Sequence, residues 1–123
     1  MPRGPYGSVR LPGARLLPGL LTIGQAEIAW IARQRRLDLV HDPTGTAPLW
    51  LTGARRVVTV HDVIPHIFPE ASTQLDRLIY HHWLPLVLRH VDAVITVSEQ
   101  SKADLARCLR VSPDIVTVIP EAA

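Results

Sequence analysis

Short runs of Val, Ile and Thr alternate along this chain with segments whose apolar residues recur at helical spacing. The runs cover about 37–41, 56–61, 92–98 and 114–119. Consecutive apolar positions over so few residues predict strands covered on both faces, as in a parallel sheet. The segment opened by Thr22-x-x-Gln25 reads as a helix reaching about Arg36, because that spacing makes a capping box; Gly24 weakens it. A long helix is predicted over 72–90, with Leu75, Leu78, Ile79, His82, Trp83, Leu86 and Val87 on one face. His90 falls on that face as well, and His81 points elsewhere. Pro85 interrupts this pattern and should kink or divide the helix. Ser98 is a good N-cap, Glu99 suits the positive end of the helix that follows, and Leu105, Ala106 and Leu109 line one side up to about Arg110. Strand and helix alternate, which predicts an α/β fold: a parallel sheet with helices on both faces.

The breaks are as informative as the runs. Residues 1–19 hold Pro2, Pro5, Pro12 and Pro18 with Gly4, Gly7, Gly13 and Gly19, and read as an irregular arm. Pro43, Gly45, Pro48 and Gly53 make 42–55 a loop, with a helical turn near 49–51. A second loop carries Pro65 and Pro69. Residues 20–123 form one domain in this reading. No strand with a glycine-rich turn precedes the first helix, and nothing follows the fourth strand, so the expectation is a piece of a larger α/β protein.

Three strands run into polar groups: His41-Asp42, His61-Asp62 and Ser98-Glu99. In open α/β sheets ligands bind outside the carboxyl ends of the strands, so these endings outline one site. Each has a plainer reading beside it. His61 either faces a cleft, where it can hydrogen-bond a sugar or phosphate oxygen, or is a turn residue. Asp62 either lines the cleft or shapes the turn. His41 leads into Asp42-Pro43-Thr44-Gly45, a loop that lacks the Gly-Lys-Ser/Thr of a Walker loop. Ser98 is a helix cap whose neighbouring N–H groups also suit an anion or a sugar hydroxyl. Glu121 follows Pro120 after the last strand, in a position that can face the cleft, and takes no assigned chemistry.

Composition narrows the classes. The 123 residues suit one domain, and the formal net charge of +2 is too mild to argue for nucleic acid. Arg33, Arg35, Arg36, Arg55 and Arg56 are dispersed and not interleaved with aromatics. Trp30, Trp50 and Trp83 read as packing residues. The single cysteine, Cys108, reads as an inert thiol; it permits no internal disulfide, which fits a reducing compartment. No stretch is long and apolar enough to span a bilayer, and no signal peptide is evident. The expected location is the cytoplasm, with peripheral contact at a membrane surface left open. The histidines lack the i, i+4 spacing of a zinc helix, so no metal is expected, and Ser98 lacks the Gly-x-Ser-x-Gly setting of a hydrolase nucleophile.

Several stretches together carry a resemblance. Asp38-Leu39-Val40-His41, Ala47-Pro48-Leu49 and Arg56-Val57-Val58-Thr59-Val60-His61-Asp62-Val63-Ile64-Pro65 are followed by Pro69-Glu70 and the helix over 77–80. Then come Ala93-Val94-Ile95-Thr96-Val97-Ser98-Glu99-Gln100-Ser101-Lys102-Ala103-Asp104-Leu105 and Ile115-Val116-Thr117-Val118-Ile119-Pro120-Glu121-Ala122. In this order they resemble the amino-terminal domain of retaining glycosyltransferases of the GT-B fold, in the family-four, mannosyltransferase-like branch. The resemblance covers about 20–122.

It implies a Rossmann-like half of a GT-B fold, the acceptor-side domain, facing a donor-binding domain that this sequence does not contain. It implies hexosyl transfer from a nucleotide sugar to a glycan or lipid-linked acceptor, as in polysaccharide biosynthesis, with no cofactor. His61 matches the family histidine that reaches the transferring sugar. Ser98 matches the serine at the start of the next cleft helix; His41, Asp62 and Lys102 join it as substrate-binding candidates on their own positions, not through the resemblance. The missing opening strand and donor domain make the expected chain a truncated or split product, inactive alone, with apolar surface bare where a first strand would pair. The alternative is a non-catalytic α/β module that works through a partner chain, such as a separately encoded donor domain. A phosphate-accepting or nucleotide-binding α/β domain is a third reading, and it lacks both the Asp/Lys pair and the glycine-rich loop it needs.

Overall fold

The computed structural model describes residues 25–45 and 53–122. The arm over 1–19, the Thr22 cap, Gly24, the turn near 49–51 and Trp50 lie outside the described residues. Four strands form one sheet: β1 (Leu39–Asp42), β2 (Arg55–Thr59), β3 (Ala93–Thr96) and β4 (Val116–Val118). They lie in chain order, and each neighbouring pair is parallel. The parallel α/β sheet is the one the β-branched runs predict.

The register sets Val58, Val94 and Val116 side by side. All three are buried, and with Leu84, Val87, Leu88 and Leu105 they make the main core. Val40 shares this face through its partner Arg56, and Ala29 and Ala32 of α1 (Gln25–Gln34) pack on it. The helices of the described residues therefore gather on one face. Right-handed crossovers that always step in the same direction return each helix to the same side. Strand alternation puts His41, Val57, Thr59 and Ile95 on the other face.

Between β2 and β3 the chain makes α2 (Ile64–Ile67), a 3₁₀ turn (Pro69–Ala71), α3 (Gln74–Leu78), a π-helical turn (Ile79–Trp83) and α4 (Leu84–Leu88). The proline-bearing segment expected as a loop thus holds two short helices. Pro65 and Pro69 stand in their first turns, where a fixed φ helps and a missing N–H costs nothing. α3 starts from Thr73 through a capping box. Thr73 Oγ1 accepts the Asp76 N–H at 3.1 Å, and the Asp76 carboxylate accepts the Thr73 N–H at 3.2 Å.

Pro85 is absorbed by the π turn ahead of it. The Leu84 N–H donates to the Ile79 carbonyl, five residues back, so the widened turn accommodates the ring. The extra residue also rotates the apolar stripe. Tyr80, Trp83, Leu84, Val87 and Leu88 face the core, while Leu75, Leu78 and Leu86 are 46%, 54% and 40% exposed. The single face expected over 72–90 is corrected accordingly, and His82 and His90 point to solvent.

α5 (Glu99–Leu109) joins β3 to β4. It is capped by Ser98 and stops at Arg110, whose φ of 54° turns the chain left-handed. Cys108 sits half-buried on α5. Trp83 packs as expected, whereas Trp30 is 64% exposed and does not. No helix of the described residues is long and apolar enough to cross a membrane.

Candidate functional site

The site lies where the strands end. His61 follows β2, and its Nδ1–H donates to Glu121 Oε1 at 3.1 Å. The two side chains are 54% and 69% exposed. The His61 backbone is held separately, because its carbonyl accepts the Ser101 hydroxyl at 3.2 Å.

Ser98 supports that contact from below. Its Oγ accepts the Ser101 N–H at 3.0 Å, the N-cap bond, and its hydroxyl donates to Ser101 Oγ, also at 3.0 Å. The cap reading of Ser98 is therefore met, and the same hydroxyl ties α5 to His61. Lys102 lies in the first turn of α5, half-buried, and gives its N–H to the Ser98 carbonyl at 3.0 Å. Asp62 shapes the turn: its Oδ1 accepts the Ile64 N–H at 2.9 Å. His41 stands on the opposite sheet face, where Nε2 shares a 2.8 Å hydrogen bond with Thr59 Oγ1. The structure thus joins His61 to Ser98, and sets His41 apart behind Thr59.

Beside His61 lies a cavity of about 90 Å³, walled by Pro43, Thr44, Gly45, Thr59, Val60, Ile79, Tyr80 and Leu84. Its loop wall is fixed by Asp42, whose Oδ1 accepts the Thr44 N–H at 2.7 Å and the Thr44 hydroxyl at 2.6 Å. Gly45 closes the turn with a φ of +85°, a conformation that side chains resist, and lies against Leu84. Pockets that enclose a ligand run to roughly 300–1,000 Å³. At about 90 Å³ this cavity is too small to enclose such a ligand on its own.

Tyr80 reaches this wall from the π turn. Burial first, then the Asp62 and Asp76 carboxylates, hold its phenol above the ordinary value of 10.0. Tyr80 thus lines the cavity with its phenol protonated. Farther along, His81 stacks on His66 with ring centroids 4.5 Å apart. Shielding from water, then the charges of His66, His82 and Arg77, holds His81 below the ordinary histidine value. No three His, Cys, Asp or Glu side chains of the described residues converge as metal ligands.

Sequence reasoning missed Ser101, Thr59 and Tyr80 as parts of this site, and it gave Glu121 a place at the cleft with no chemistry and no partner. Ser101 was within reach, since its N–H is the one a cap at Ser98 must take. The pairing of Glu121 with His61 was not, since the two are 60 residues apart. The family model described as Glycosyltransferase Family 4 matches residues 2–122. No curated protein matches the chain.

Proposed function

The chain belongs to glycosyltransferase family 4, and we propose that it forms the acceptor-side wall of the cleft in a retaining, mannosyltransferase-like GT-B enzyme. The reaction is transfer of a hexosyl group from a nucleotide sugar to a glycan or lipid-linked acceptor. The observation that carries this reading is the convergence of His61, Ser101 and Ser98 at the ends of parallel strands, beside a small cavity.

In the reaction the departing diphosphate gains negative charge and the sugar must be held in line with its acceptor. Both tasks are orientation and electrostatics. His61 hydrogen-bonds the transferring sugar. The first turn of α5 and the Lys102 ammonium face the developing anion with positive charge. The Tyr80 phenol donates to a sugar hydroxyl in the cavity. Asp62 and His41 act one step away, through the turn after β2 and through Thr59. A donor-binding domain supplies the nucleotide side of the cleft, and the work is done in the cytoplasm, at the inner face of the membrane for a lipid-linked acceptor.

The test is transfer from a panel of radiolabelled nucleotide sugars by the purified chain, with and without the donor-binding half of a related enzyme in trans. Turnover is expected with the added half, and His61→Ala should lower it about a hundredfold, the scale for losing one well-placed hydrogen-bonding group. Absence of turnover in every mixture, with the chain folded by circular dichroism, overturns the enzyme reading and leaves a binding module acting through a partner.

A further inference from the structure

We propose that Glu121 is a positioning residue that fixes the tautomer of His61, so that the ring offers a lone pair to a sugar hydroxyl. This rests on the sugar-binding role proposed for His61. A carboxylate accepts hydrogen bonds and cannot donate them. The 3.1 Å contact therefore places the proton of the neutral ring on Nδ1 and leaves Nε2 as the acceptor. An acceptor suits the O–H of a sugar. It repels the bare oxygens of a diphosphate, so the ligand group of His61 is a hydroxyl.

The rest of the geometry serves that contact. Glu121 comes from the chain after β4 and reaches His61 after β2, across the end of β3. The ladder runs one residue beyond β4, with the Ile119 N–H donating to the Thr96 carbonyl at 2.8 Å. Pro120 then restricts φ just before Glu121. The carboxylate thus departs from a fixed point, while Ser101 holds the His61 backbone from the other side. A side-chain contact this exposed adds little to folding stability, so stability does not explain it. A tautomer, by contrast, needs only a modest bias.

The experiment is nitrogen-15 NMR of the His61 ring in the full chain, above the pH where the ring protonates, comparing wild type, Glu121→Gln and Glu121→Ala. The Nδ1–H form is expected in wild type and in Glu121→Gln, whose amide oxygen still accepts. It should give way to the Nε2–H form in Glu121→Ala. With the donor half added, Glu121→Ala should lose about tenfold in transfer, the effect of one neutral hydrogen bond, and Glu121→Gln should recover most of it. An unchanged tautomer in Glu121→Ala overturns the positioning role whatever the transfer rates. The expected tautomer change with transfer indifferent to His61→Ala supports the positioning and overturns only the role given to His61.

Discussion

Ser98 spends one hydroxyl on two tasks. As an acceptor it caps α5, and as a donor it orders Ser101, which in turn holds the His61 carbonyl. Ser98→Ala should therefore lower stability by about 1 kcal/mol, the usual cost of losing a cap. Ser98→Asp keeps the acceptor and should stay within a few tenths of a kcal/mol of wild type. Urea titration of the three proteins checks both. Equal midpoints for Ser98→Ala and wild type would remove the cap from the account of this helix. The contrast with Glu121 shows what a sequence discloses at this scale. A cap is a local bargain between neighbours, so Ser98 was legible. The Glu121 contact depends on two strand ends meeting across a third, and no spacing along the chain encodes it.

At the scale of elements, runs such as Val57-Val58-Thr59-Val60 announced their strands, because nothing but a sheet buries consecutive β-branched residues so well. The segment from Asp62 to Leu88 was harder. Pro65 and Pro69 look like breakers in sequence, yet in the structure they open short helices. Pro85 does break the α pattern, and the π turn it accompanies shifts the buried stripe, which α spacing alone does not foresee. The same turn brings His81 onto His66 of α2. With His81 held below the ordinary value of 6.5, the folded state binds fewer protons than the unfolded state just below that pH. Stability should then be full above about pH 6.5 and decline as the pH falls through the lowered value. His66 on α2, with His82 and Arg77 beside the ring, adds to the opposing charge. His81→Gln should flatten this acid decline, read as a smaller drop in urea midpoint between pH 7.5 and pH 5. A parallel decline in both proteins would place the acid sensitivity elsewhere.

At the scale of the whole molecule, the helices of the described residues cover one sheet face, and among the described residues β1 lies at an edge of the sheet. The core is gathered around Val58, Val94 and Leu105, toward β2, β3 and β4, and among the described residues the buried side chains packed against Val40 of β1 are the small Ala29 and Ala32. Leu39 on β1 is 51% exposed, and nearby Leu37 is 40% exposed. An edge strand with bare apolar side chains is a template for pairing with another chain, and a lysine on such an edge opposes it. Leu39→Lys should therefore reduce concentration-dependent association in sedimentation velocity. Its melting temperature should hold, since Leu39 contributes little to the buried core. If Leu39→Lys instead melts early and associates more, Leu39 is covered in solution and the β1 edge is already paired. If association is unchanged at a normal melting temperature, the contact between chains lies on the open face around Val57 and Ile95, where alternation leaves half-buried apolar side chains without a helix among the described residues.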